Sequence, residues 1–417
     1  MKPSRSQLPA LTGIRFFLAI WVVIYHVTPV SDQRVIAWFP AAPHALYSLI
    51  RTGYVAVGVF FVLSGFVLAY NYDLGKRWDG RSLARFAVAR FSRVYPAYCI
   101  GLLLVMPFLV YRLARAFSLD ALGLEALTGF LNWTLLQAWI PDMALTWNDP
   151  GWSLSNEAFF YLCFPFVGVF LWRASTPGKN LAAGAAMWLC AVLVPLWQVL
   201  RPGAGFEDIS TLGASLGGSA DTFGRFIKYN PVLRIPEFCV GILLCRMYSH
   251  VRQSNQRLLG RGYWFYLPAL LLTGALLSRA SGLSPFLLHN GILLPLYAGL
   301  IFGLALEGGV LGRVLSSDIL VLLGNASYSM YILHVPIMSW ILVVLRRVFA
   351  YEPSGPAWVF AYTTTVIVLS CLCFKLIEEP LHRALKKKLG GRVDRWILER
   401  AARRVSDSPA CPARNSQ

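Results

Sequence analysis

Arg15 and His26 bracket ten uncharged, mostly apolar residues in the stretch RFFLAIWVVIYH. Ionisable groups inside an apolar run are costly and mark candidate sites. Eleven residues at about 100° each return the two side chains to within about 20° of one helix face, roughly 16 Å apart along the axis. A guanidinium offers a fork of donors to an anion, and an imidazole accepts a proton near neutral pH. One helix face therefore carries a cationic anchor and a proton acceptor. The plainer alternatives are an Arg15 that snorkels to headgroups and a His26 that bonds a neighbouring carbonyl.

Four other stretches bear on the same chemistry. Glu157, in WSLSNEAFFYLCFP after Trp152 and Ser153, puts a carboxylate near the start of an apolar run. A carboxylate beside an imidazole orients it and stabilises its protonated form; an acid near a helix start also complements the dipole. Ser64 precedes Gly65 in FFVLSGF, where small residues equally suit close helix packing. NASYSMYILHVP gathers Asn325, Ser327, Tyr328, Ser329, Tyr331 and His334, a density of polar groups that implies a cavity or tight bonding between helices. His334, just before Pro336, also reads as a satisfied kink. Arg90 and Arg93 in ARFSRVYP suit bidentate phosphate binding, or simply mark a cytoplasmic boundary. No phosphate loop, dinucleotide fingerprint, serine elbow or zinc-protease helix occurs. The eight cysteines lack metal spacing, so no metal is expected.

The elements that must carry these residues follow from composition. The 417 residues are 57% hydrophobic and only 14% charged, against about 25% charged in soluble domains. Apolar segments lie near 14–30, 52–72, 94–111, 121–141, 152–172, 181–200, 232–248, 263–280, 287–306, 318–345 and 356–377, which implies an all-α polytopic membrane protein. The net charge of +18 sits in short loops and the tail, which argues for orientation in a bilayer rather than for nucleic acid.

Lys2 and Arg5 at one end, and the run from Arg383 to Arg404 at the other, place both termini in the cytoplasm. Eleven crossings cannot do that. Segment 121–141 carries Glu125, Asn132 and Gln137, and the following PDMALTWNDPG has acids but no Lys or Arg. It is expected to be re-entrant or interfacial, leaving about ten spans. The basic stretches 73–93 and 249–262 are then cytoplasmic loops, and 201–231, with Glu207, Asp208 and Asp221, is exoplasmic. Arg15 falls near the cytoplasmic boundary, and His26 and Glu157 at comparable outer depths. Residues 1–383 form the membrane domain, with a basic, partly disordered tail at 384–417.

In order along the chain, Arg15-x10-His26, FFVLSGF, RFSRVYPAY, WSLSNEAFFY, SYSMYILHVP and the EEP of 378–380 resemble the motifs of the acyltransferase 3 family. The resemblance covers about residues 8–383. Its members are integral-membrane enzymes that O-acylate carbohydrates and some other acceptors. Without the appended hydrolase-like domain of some members, the chain is similar to the stand-alone type associated with lipopolysaccharide, exopolysaccharide or antibiotic sugars. The resemblance implies acetyl-coenzyme A, or another acyl-coenzyme A, as co-substrate from the cytoplasm. It implies an extracytoplasmic or lipid-linked carbohydrate hydroxyl as acceptor, and a bacterial-type inner membrane.

In that setting Arg15, Arg90 and Arg93 would hold the coenzyme. His26, oriented by Glu157, would be general base or transient acyl carrier. Ser64, Trp152, Ser153, Ser327, Tyr328, Tyr331 and His334 would bind substrate or support the site. No motif specifies an oligomeric state. The competing reading is a transporter or flippase of a small or lipid-linked substrate. Against it stand the lack of an internal repeat and the two depths of charge on one helix face.

Overall fold

The computed structural model describes residues 8–28, 37–40, 43–76, 78–115, 118–174, 176–201, 222–254, 256–280 and 283–406, with side chains to 395. Lys2, Arg5, and the acids expected in the exoplasmic loop (Glu207, Asp208 and Asp221) lie outside the described residues.

No strand occurs among the described residues, and the protein is a multi-pass bundle. The helices, in chain order, are α1 (Pro9–Val27), α2 (His44–Arg51), α3 (Ala56–Asn71), α4 (Gly80–Arg115), α5 (Leu119–Trp133), α6 (Gly151–Trp172), α7 (Pro177–Leu200) and α8 (Thr222–Tyr229). They continue with α9 (Pro231–Ser254), α10 (Tyr263–Leu277), α11 (Pro285–His289), α12 (Leu294–Ala305), α13 (Gly309–Leu315), α14 (Asp318–Val348), α15 (Gly355–Cys373) and α16 (Glu379–Ser406). Among the described residues, eight helical segments are long and apolar enough to cross a membrane. The other two expected span positions are also helical. Helix α10 is apolar but has 15 residues, and α9 has 24 but carries Arg234, Glu237, Arg246 and Arg252.

Segment 121–141 forms no spanning helix. Helix α5 stops at Trp133, and two single 3-10 turns, Gln137–Trp139 and Pro141–Met143, lead into α6. Buried polar groups hold this stretch in place of a helix ladder. Asn132 Nδ2 donates to the Thr146 hydroxyl at 3.1 Å, and Gln137 Nε2 donates to the Gly151 carbonyl at 2.9 Å.

Two expected loops are helical instead. Helix α4 already begins at Gly80, so Arg81, Arg85, Arg90 and Arg93 stand on its first turns rather than in a loop over 73–93. Its 36 residues reach about 54 Å, well beyond a hydrocarbon core of about 30 Å. Arginine is a good helix former, so a basic stretch marks a side of the membrane without breaking a helix. Helix α9 likewise runs through the expected 249–262 loop as far as Ser254. At the other end a one-turn π-helix, Phe374–Glu378, joins α15 to α16, which carries the tail to Ser406.

The core is set by two close helix pairs. A Cβ built on Gly13 of α1 would lie 2.0 Å from the Leu315 carbonyl oxygen, and one on Gly324 of α14 would lie 2.0 Å from that of Thr12. Gly65 of α3 meets the Phe238 carbonyl of α9 at the same 2.0 Å, and Gly241 meets Val62 at 2.1 Å. In lipid, helices associate through such small-residue contacts because no aqueous hydrophobic effect drives them together. These first contacts fix α1 against α13 and α14, and this brings the Arg15–His26 face onto the polar stretch at 325–334.

Candidate active site

Five helices wall one cavity of about 860 Å³, part of it open to solvent. Helix α1 contributes Arg15, α3 Ser64, α4 Arg90 and Arg93, α6 Ser153, Glu157 and Tyr161, and α14 Ser327, Tyr328 and Tyr331. Nine of the twelve residues singled out in the sequence thus share one wall. Ser64 and Gly65 divide the work of FFVLSGF: the glycine packs on α9 while the serine faces the cavity beside the Tyr161 hydroxyl.

Three guanidiniums converge here on two carboxylates. Tyr161 Oη donates to Glu157 Oε2 at 2.8 Å, one turn further along α6. Glu157 also lies within electrostatic reach of Arg15, Arg90 and Arg93. Arg93 Nη1 pairs with Glu378 Oε1 at 2.9 Å, and the Ser329 hydroxyl donates to Glu378 Oε2 at 2.6 Å. Glu378 is wholly buried, and the π-turn that ends on it aims it at α4. Arg90 Nη2 reaches the Tyr72 hydroxyl at 3.3 Å, while its buried Nε has no partner among the described residues. Arg15 forms no hydrogen bond or ion pair with another described residue; its electrostatic neighbours are Arg93, Glu157, Tyr161 and Glu378. The balance leaves one positive charge uncompensated in a partly desolvated cavity, where it attracts an anion far more strongly than in water.

His26 is not on that wall. It stands at the far end of α1, its ring 4.8 Å from that of His334, centroid to centroid. Phe60 and Tyr331 line the cavity; their rings lie 6.0 Å apart, and the Tyr331 ring is 6.1 Å from that of His334. His26 Nδ1 is 2.9 Å from the Val22 carbonyl, and His334 Nδ1 is 2.8 Å from that of Tyr331. A carbonyl can only accept, so both Nδ1 atoms carry the hydrogen and both Nε2 atoms keep the lone pair. Each imidazole is thus set as a base at Nε2.

The expected partnership of Glu157 with His26 does not form. Helix α6 starts at Gly151, and six residues carry Glu157 about 9 Å along it to the level of the arginines. There it neutralises charge that would otherwise be costly to bury. Trp152 is also off the cavity wall. It packs 5.9 Å under the guanidinium of Arg234, in a separate buried network where Arg234 pairs with Glu237 at 2.9 Å and donates to Asn290 Oδ1 at 2.6 Å.

Five further residues belong to these networks but were not evident as partners from the sequence. Tyr161 could have been found at i+4 from Glu157. Glu378 stood in a noted motif but without a partner, because Arg93 is far away in sequence. The Arg234–Glu237 pair, three residues apart within a span, was an intramembrane charge signal left unread. Asp149, in the stretch before α6, interacts with Tyr25 and Tyr331 beside the two histidines, and burial pushes its carboxyl up to about 6.

A family model described as an acyltransferase domain, acyltransferase 3, matches residues 8–375. The chain belongs to the acyltransferase 3 family. That match takes in every cavity-lining residue and both histidines, and it stops just short of Glu378. This acyltransferase is 26% identical to the acyltransferase MdmB of Streptomyces mycarofaciens over 408 residues, covering 93% of this chain and 95% of that one. It is 24% identical to the peptidoglycan O-acetyltransferase OatA of Listeria monocytogenes, over 91% of this chain but 56% of the relative. Its identity to the O-acetyltransferase OatA of Staphylococcus aureus is 21%, over 95% of this chain and 61% of the relative. The chain thus spans little more than half the length of the OatA proteins. No solved structure matches it.

Proposed function

We propose that this acyltransferase transfers an acyl group, acetyl in the first instance, from acyl-coenzyme A to a carbohydrate hydroxyl on the outer side of a bacterial inner membrane. The observation that carries the reading is the arginine-rich cavity whose wall includes Arg15, with a base, His26, on the same face of α1 but off that wall. The basic flanks of the chain favour a cytoplasmic arginine end and an outward His26 end. The relatives' names, an acyltransferase along nearly the whole chain and peptidoglycan O-acetylation in OatA, support a glycan acceptor.

The cavity suits a polyanionic donor. Among the described residues Arg15 has no bonding partner and Arg90 Nε is a buried donor without one, so a phosphate would satisfy both. When bound, the donor supplies an activated thioester. Arg15, Arg90 and Arg93 would hold its phosphates; Glu378 keeps Arg93 extended into the cavity, and Glu157 with Tyr161 limits the repulsion among the three cations. His26 Nε2 would take the proton of the acceptor hydroxyl as it attacks, which its fixed tautomer permits without rearrangement.

NMR of cell-surface glycans from a deletion strain and its complement should show an O-acyl ester lost and restored. The purified protein should release coenzyme A thiol only with the acceptor present. Glycan movement without thiol release would replace this reading with transport, and an acyl label trapped on His26 would replace the general base with an acyl carrier.

A further inference from the structure

The base reading of His26 leaves the second imidazole unexplained, and the following inference rests on that reading. His334 is wholly buried, and its Nε2 has no hydrogen-bond partner among the described residues. Nothing structural requires an imidazole there. Its ring bonds only to carbonyls of its own helix, Nδ1–H to that of Tyr331 with that of Met330 also in reach. Among the described residues, the one hydrogen bond from another helix at this residue, from the Tyr362 hydroxyl at 2.7 Å, goes to its backbone carbonyl and would survive any side chain. A leucine would fill the space without leaving a buried acceptor unsatisfied, and unsatisfied buried acceptors are costly.

The ring facing His334 is His26, at 4.8 Å between centroids. In the resting protein His26 has no hydrogen to offer, because its only N–H is bonded to Val22. That changes once His26 takes a proton, since the new hydrogen sits on Nε2. We infer that His334 is a positioning residue whose Nε2 receives a hydrogen bond from protonated His26, so that it stabilises the base only in its proton-bearing state. An interaction made in that state and absent from the ground state lowers the barrier rather than merely improving binding.

The step balances. The acceptor O–H bond breaks and its electron pair forms the ester C–O bond as the thioester C–S bond breaks. The proton passes to His26 Nε2, is held there against His334, and then goes to the departing thiolate. No oxidant or metal is consumed.

The test uses the full-length protein in detergent, with acetyl-coenzyme A and glycan extracted from the deletion strain as probes. His334→Leu should melt at or above the wild-type temperature, lose at least 100-fold in kcat, and keep KM for acetyl-coenzyme A within twofold. His334→Gln, whose amide oxygen can accept, should recover at least tenfold of that loss. If the leucine variant fails to fold, His334→Phe takes its place under the same criterion. A folded apolar variant with kcat within threefold of wild type, alongside an inactive His26→Ala, overturns the role of His334 and leaves the base standing. Activity in His26→Ala shows instead that the underlying reading is wrong.

Discussion

At the residue scale the proposed roles separate anion binding from proton transfer along one helix. Loss of a positioned general base typically costs 10²- to 10⁴-fold, so His26→Ala should lower kcat by about that factor while the protein still inserts and folds. Arg15→Ala should leave kcat nearly intact and raise KM for acyl-coenzyme A about tenfold or more, the size of one charged hydrogen bond; an unchanged KM would contradict its assignment. Asp149 makes a separate prediction about pH. Its folded pKa of about 6 lies above the ordinary 3.8, so the folded protein binds this proton more tightly than the unfolded chain. Stability from this group is full below pH 3.8 and declines as pH rises through 6. Asp149→Asn should therefore melt higher than wild type at pH 7.5, with the advantage vanishing near pH 4, as scanning fluorimetry would show.

At the element scale the decisive contacts are the glycine pairs and the π-turn. Gly65→Ala would put a methyl group against the Phe238 carbonyl, so α3 and α9 must separate, at a cost of about 1–3 kcal/mol. The same change at Gly80, where no atom lies within 4 Å, should be nearly silent, and thermal melts of the two variants make the comparison. Glu378→Leu leaves Arg93 without its ion-pair partner and should cost about 3–5 kcal/mol. Combining it with Arg93→Met should recover much of that loss. Additive losses in the double variant would show that the pair is not coupled.

At the whole-molecule scale the bundle should have both basic ends on the cytoplasmic face. In a cysteine-free background, Gly80→Cys and Gly390→Cys should react with an impermeant maleimide only after the cells are opened, whereas Asp142→Cys should react in intact cells. The reverse pattern would turn the donor cavity outward and exclude a cytoplasmic donor.

Class, eight of the ten expected span positions and the Arg15–His26 face were legible in the sequence because they depend on local quantities: hydropathy summed over a window, and helical phase along one segment. Nine of the proposed site residues meet at one cavity for the same reason, since polar groups in spans must turn inward wherever the helices pack. Pairing across helices was not legible. Glu157 sits with the arginines and not His26, Glu378 is aimed by a π-turn, and His26 faces His334. These pairings depend on where α6 begins, on one extra residue per turn after Cys373, and on glycines that let α1 and α14 touch. Such offsets of a few ångströms leave hydropathy unchanged, yet they decide which charged and titratable groups meet.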